Sequence, residues 1–229
     1  MHTLTIASGK RGGGKSVAVA NLLKKAKDKG YLQKVWLITP TYNSNKQIWD
    51  IANIDEEDVH EPTVNVLKEI CKKIEAEKLE WDEFLEKKKK YKEFLKDNDK
   101  SVMQINPYKL MDYYDLGFLD KGEPPKWKYD QEVPPRLGVC LDDVLGTDLL
   151  AKRSAGLLNF CIKHRHHSCL GISVYILTQS YCSQGGINRA IRENNTALML
   201  FKLNDDNQRK KIKEEADLEC TNEEFEKMC

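Results

Sequence analysis

No apolar run in this sequence approaches the roughly 18 residues that a membrane-spanning helix needs. Met1 leads into an alternating stretch without the charged-then-apolar pattern of a secretory leader, so a soluble chain on the cytosolic side, with no membrane partner, is expected. Excess charge is also missing, because 37 basic residues face 36 acidic ones. Overall charge therefore does not announce a nucleic-acid partner, and any DNA contact must come from local patches. The seven cysteines (71, 140, 161, 169, 182, 220 and 229) include no C-x-x-C pair and no His/Cys spacing suited to zinc. They read as reduced, mostly buried thiols rather than a disulfide framework. No internal repeat and no N-K-x-D guanine-reading motif occurs.

What is present begins at residue 9. Gly9-Lys10-Arg11-Gly12-Gly13-Gly14-Lys15-Ser16 fits G-x-x-x-x-G-K-[ST] without a gap. Glycines let successive backbone N–H groups face a polyphosphate, and a helix N-terminus behind them adds free donors and the positive end of its dipole. Lys15 is expected to reach the β- and γ-phosphates, and the Ser16 hydroxyl to ligate Mg²⁺, with Val17 completing the cradle. The flanks agree. Residues 2–7 alternate as a short strand, and Val17, Val19, Ala20, Leu22, Leu23 and Ala26 recur at helical spacing up to the terminator Gly30.

Lys34 to Pro40 reads as a second buried strand, which completes a βαβ unit and implies a parallel sheet. Thr41 to Asn45 reads as the loop beyond it. Tyr42 and Asn45 there are either near the nucleotide or a neighbouring subunit, or ordinary polar loop residues. From Thr63 to Lys100 a Lys/Glu-rich stretch carries one apolar stripe, expected on two helices. Its run Lys87 to Lys90 is either a solvated face or a phosphate contact. Met103 to Arg136, punctuated by prolines, reads as irregular.

The apolar strand Arg136 to Leu141 ends in Asp142-Asp143. A carboxylate at a strand's carboxyl end can hold Mg²⁺ through water beside Ser16, which gives Asp142 that role and puts Asp143 in place to orient or deprotonate the attacking water. Leu149 to His167 has helical spacing and closes on Lys163-His164-Arg165-His166-His167, read as basic residues at a helix C-terminus or, less simply, as metal ligands. Gly171 to Gln179 is the next core strand. Gln179 at its end is either a sensor of the γ-phosphate or lytic water, or a surface cap. A short helix over 187–195 puts Arg189 and Arg192 on one face, offered to a neighbour's phosphate or acidic surface. The strand 196–201 follows, and residues 205–229 read as two charged helices, the second opened by Thr221 with Glu224.

The ordered set Gly9 to Ser16, Leu141-Asp142-Asp143, Thr178-Gln179 and the arginine-bearing helix resembles the FtsK–HerA superfamily of DNA-pumping ATPases. More narrowly, the order of Pro40-Thr41-Tyr42, Arg165-His166 and Gln179 is similar to that in genome-packaging ATPases of nucleocytoplasmic large DNA viruses and virophages. The resemblance covers about 1–60 and 136–205. It implies an α/β, RecA-like (ASCE) P-loop NTPase fold with a mostly parallel sheet, the strand ending in Gln179 lying between the two motif-bearing strands. The chain is then a single ATPase domain over 1–229, with an insertion at about 60–135 and a charged tail at about 205–229. The resemblance further implies ATP and Mg²⁺ as cofactors and a ring, expected to be a hexamer, around double-stranded DNA contacted without regard to sequence. A capsid or portal-vertex protein is a further implied partner, and the host cytoplasm and the virion are the implied locations. An arginine from the adjacent subunit would complete each site, with Arg189 or Arg192 the first choices and Arg165 and Arg153 the reserves. Asp143 stands where many relatives carry Glu, and its reach is shorter. The competing reading is a small nucleotide or metabolite kinase that uses the same phosphate loop.

Overall fold

The computed structural model describes residues 2–98, 102–144, 146, 147, 149, 155–182, 187–203, 205–215, 224 and 225. These residues form two compact units, one of 1–74 with 135–229 and one of 75–134.

The first unit is built on a six-stranded sheet in which every pairing is parallel. Its strands are β1 (Leu4–Ser8), β2 (Lys34–Ile38), β3 (Val59–His60), β4 (Leu137–Asp142), β5 (Ile172–Thr178) and β6 (Ala197–Leu200), in the order β3-β2-β4-β5-β1-β6. So β5 does lie between the loop-bearing β1 and the aspartate-bearing β4.

Strands covered on both faces need apolar residues on both, and these have them. Leu4, Ile6, Trp36, Ile38, Val139, Leu141, Val174 and Ile176 point into one cluster. Val35, Leu37, Cys140, Tyr175 and Leu177 point into the other. Helices α1 (Lys15–Asp28) and α2 (Tyr42–Asp50) cover the second face through Val19, Ala20, Leu23 and Trp49. The first face is covered by the start of α3 (Val66–Asp97), by α6 (Ala155–Ile162) and α7 (Arg189–Glu193), and by α8 (Asp206–Glu215) through Ile212.

Helix α1 ends as its sequence predicts. Gly30 takes φ +67°, its N–H bonds to the Lys27 carbonyl at 2.8 Å, and Tyr31 N–H bonds to the Ala26 carbonyl at 2.8 Å. That pair of bonds is the glycine-terminated helix end in which otherwise orphaned carbonyls are satisfied.

Four local expectations are corrected. Residues 42–45 are the first turn of α2 rather than a loop. The apolar stripe of 63–100 sits on one 32-residue helix, α3, rather than two; its Leu85 and Leu95 are exposed. The stretch 103–136 contains α4 (Pro107–Asp115) and α5 (Phe118–Lys121). The helix expected to reach His167 stops at Ile162, because the chain must reverse into β5: Ile172 N–H bonds back to the His164 carbonyl, and Ser168, Cys169 and Gly171 all take positive φ. Thr221 and Arg153 lie outside the described residues.

The second unit has a core of its own. Phe94, Tyr113 and Phe118 are buried together, with Tyr91, Ile105 and Leu116 packed against them. A second aromatic group stacks Trp81, Phe84, Trp127 and Tyr129, with successive ring centroids 4.9–5.8 Å apart. Tyr113 donates to Asp97 at 3.0 Å, and burial ahead of that carboxylate pushes its phenol up to about 12. Within the tetra-lysine run, Lys88 pairs with Glu132 and Lys90 with Asp112. Among the described residues, no helix of either unit is long and apolar enough to cross a membrane.

Candidate nucleotide-binding site

Arg11 to Ser16 of the phosphate-loop motif meet the predicted Asp142, Asp143 and Gln179 where the strands end. A cleft of about 450 Å³ opens at the carboxyl edge of the sheet, lined by the turn Arg11–Val17, by Asp142, Asp143, Thr178 and Gln179, and by one side of α2. Open parallel sheets place ligands at this edge.

The turn is shaped by glycine where glycine is needed. Gly14 caps α1 with φ +83°, and Gly12 takes φ +73°, conformations that cost a side-chain-bearing residue strain. Gly9 meets a different demand: a Cβ there would lie 2.5 Å from Cβ of Phe201. Gly9 N–H bonds to the Thr178 carbonyl at 3.2 Å and Lys10 N–H to the Lys202 carbonyl at 3.0 Å. These two residues root the loop without lining the cleft, so their part in phosphate contact falls to Arg11–Val17.

Lys15 is only 8% exposed, and its ammonium donates to the Gly9 carbonyl at 2.7 Å and the Lys10 carbonyl at 2.9 Å. Burial holds its pKa below the ordinary lysine value, against the opposing pull of Asp142 and Asp143. The Ser16 hydroxyl lies 3.3 Å from both carboxylate oxygens of Asp142. Asp142 itself is 4% exposed, and burial raises its carboxyl to about 6; Asp143 adds to the rise while Ser16 and Lys15 oppose it. A buried carboxylate short of positive charge, with a hydroxyl beside it, fits a divalent cation such as Mg²⁺. The glycine-rich turn lining the cleft and the buried ammonium fit a polyphosphate.

Asp143 takes φ +53°, and its Oδ1 accepts from Gln179 Nε2 at 2.9 Å. Sheet register explains the meeting, since Asp142 pairs with Leu177 and so the next residues on each strand rise together.

The arginines part company. Arg192 is 8% exposed, donates twice to Glu215 at 2.8 Å, also binds the Ile187 carbonyl, and sits 5.2 Å over the Tyr181 ring. That corrects the expectation of two arginines offered outward from one face, because Arg192 is consumed inside its own fold. Arg189 keeps 78% of its side chain exposed and pairs with Glu193, four residues on in the same helix. Arg165 is exposed as well. The neighbouring histidines do not form a ligand set among the described residues. His164 is buried with Nδ1 2.7 Å from the Cys161 carbonyl.

Sequence reasoning missed Ser44 and Ile48 as cleft residues; of the two residues it left open, Asn45 lines the cleft and Tyr42 packs against the core. The signal was available, because Thr41, Ser44, Asn45 and Ile48 fall at the i, i+3, i+4, i+7 spacing of one helix face.

Sheet order, motif placement and flanking helices define a RecA-like α/β P-loop fold. Solved structures similar to it include "The cytoplasmic domain of EssC", at 15% identity and a TM-score of 0.50, with 92% of this chain and 35% of that one covered. A second is EssC (ATPases 2 and 3) from Geobacillus thermodenitrificans, at 13% identity and a TM-score of 0.50, with 96% and 35% covered. The chain thus spans about a third of the length of either neighbour, and at these identities the likeness is one of fold. No protein-family model matches the sequence, and no curated protein does.

Proposed function

We propose that this chain hydrolyses ATP with Mg²⁺ and works as a ring-forming, DNA-translocating motor of the FtsK–HerA kind that packages double-stranded viral DNA. One observation carries the hydrolase reading: Lys15, Ser16, Asp142, Asp143 and Gln179 converge on a single cleft at the strand ends. In this reading the main chain of Arg11–Gly14 and the Lys15 ammonium bind the β- and γ-phosphates. Ser16 and, through water, Asp142 would hold Mg²⁺, which would neutralise charge on the phosphates. Asp143 takes a proton from the attacking water, and Gln179, hydrogen-bonded to Asp143, couples that base to the state of the site.

The motor reading rests on the resemblance of the motif order, and the EssC structures, one titled as ATPases, share the fold. It assigns Arg189 the role of reaching a neighbour's nucleotide, since that guanidinium is exposed while Arg192 is held within the fold. Pore-facing Lys and Arg would contact the DNA backbone, a capsid or portal protein would seat the ring, and the host cytoplasm and the virion are where it would act. The interposed strand with Gln179 at its end favours a hydrolase over the kinase alternative, which has no use for that glutamine.

The test is phosphate release with and without double-stranded DNA, together with native mass in the presence of nucleotide. DNA-stimulated release from a multimer, lost on Arg189→Ala and restored by mixing that variant with subunits that carry Arg189 but lack Lys15, is the expected result. Transfer to an acceptor by a monomer indifferent to DNA would overturn the motor.

A further inference from the structure

The wall of the cleft opposite the phosphate loop carries groups to which the proposed function gives no task. Strand β2 pairs with β4 so that Ile38 faces Leu141, and Thr39 therefore lies level with Asp142. Along the strand ends the order runs from the loop on β1, through Gln179 on β5 and the two aspartates on β4, to this Thr39–Asn45 segment. The segment is a small hydrogen-bonded assembly. Thr39 is 1% exposed; its Oγ1 accepts from Thr41 N–H at 3.3 Å and lies 3.2 Å from Thr41 Oγ1. Thr41 Oγ1 in turn accepts from Asn45 Nδ2 at 3.1 Å. The backbone bends at Asn45 to φ −118° and ψ 15°, outside helical values, within α2. Thr41 and Asn45 both line the cleft.

An amide so held is suited to a water molecule. One of its donors is committed to Thr41, which fixes the orientation of the side chain, and an amide offers a second donor and an acceptor besides. A phosphoryl group gripped by the loop is attacked in line, from the side away from the loop, which by strand order is the side where Asn45 stands.

We propose that Asn45 orients the attacking water, and that Thr41 and Thr39 are positioning residues that hold its amide. This assignment rests on the hydrolase reading. In the step it serves, the water oxygen bonds to the γ-phosphorus and the bond from phosphorus to the β–γ bridging oxygen breaks, its electron pair staying on ADP. The water proton leaves through the Asp143 carboxylate to solvent.

The experiment compares the full chain with Asn45→Ala, Thr41→Val and the double variant, measuring phosphate release at saturating Mg²⁺·ATP, affinity for a fluorescent ATP analogue, and Tm. Expected for Asn45→Ala is a fall in kcat of about a hundredfold, with affinity and Tm nearly unchanged. Thr41→Val, which keeps shape and loses the hydroxyl, is expected to lose about tenfold, and the double variant to match Asn45→Ala alone, because the two residues act as one unit. Asn45→Ser, which restores a donor and an acceptor, is expected to recover part of the rate. Full kcat in Asn45→Ala overturns the assignment; so do parallel losses of rate and affinity, losses that multiply in the double variant, or a fall in Tm that accounts for the rate. A wild-type chain that binds Mg²⁺·ATP and releases no phosphate defeats the hydrolase reading itself, and this assignment with it.

Discussion

The two compact units are held together by different means. In the unit of 1–74 and 135–229, aliphatic strands alternate into two clusters, and the few buried charges, Lys15, Asp142 and Arg192 among them, sit at the site or in a paired contact. In the unit of 75–134, aromatic rings stack in two groups, and lysine–carboxylate pairs range from the exposed Lys88–Glu132 to Lys128–Glu77, whose carboxylate is buried. Buried charge in the first unit thus lies at the candidate site or in a paired contact, while in the second the buried carboxylates Glu77 and Asp97 accept from the tyrosines Tyr129 and Tyr113. The tryptophans divide evenly as reporters, with Trp36 and Trp49 in the first unit and Trp81 and Trp127 in the second.

The contrast breaks most visibly at the phosphate loop. Lys15→Ala is expected to lower ATP turnover by about a thousandfold while the Trp81 and Trp127 emission is unmoved; retained turnover in a phosphate-release assay would refute the site. Next comes the aromatic core. Phe94→Ala is expected to cost the second unit about 3–5 kcal/mol, read as lost amide-exchange protection over 75–134, with β4 and β5 still protected. Exchange that rises equally in both would show that the two cores do not melt separately.

Asp142 gives a pH-dependent difference. Burial raises its carboxyl in the folded chain to about 6, above the ordinary value of 3.8. The folded state then binds the proton more tightly than the unfolded one, and nucleotide-free stability falls as pH rises from about 4 to 6. Asp142→Asn removes that loss. It is expected to stabilise the apo chain by about 2–3 kcal/mol at pH 7 and by almost nothing at pH 4, measured by denaturant titration. A constant difference across that range would count against it. The smallest effect belongs to the second unit's surface: Lys88→Ala, which removes an exposed pair with Glu132, is expected to cost under about 1 kcal/mol and to matter less at high salt.

What could be read from the sequence was what repeats or is stereochemically compelled. The glycine loop, the apolar strand ending at Asp142 and the strand ending at Thr178 each carry a local pattern, and their meeting follows from parallel pairing. Helix α4 had a local signal too: Pro107 stands at its first position, and Asn106 Oδ1 accepts from Tyr108 N–H at 2.9 Å, a start signal rather than a break. The face Thr41–Ser44–Asn45–Ile48 is mostly polar because it borders a cleft, so hydrophobic periodicity overlooked it. The fate of Arg192 was not local at all, since its partner Glu215 lies 23 residues on and meets it only through tertiary packing.

The bonds from Gly9 to Thr178 and from Lys10 to Lys202 stitch the root of the loop to two strand ends at once. A hinge at that root would have to tear both seams, so the loop is no flap. Access to the cleft is left to the rim at Arg11–Gly14 and the mouth beside α2, and in the proposed cycle exchange of spent for fresh nucleotide becomes a matter of who occupies that doorway.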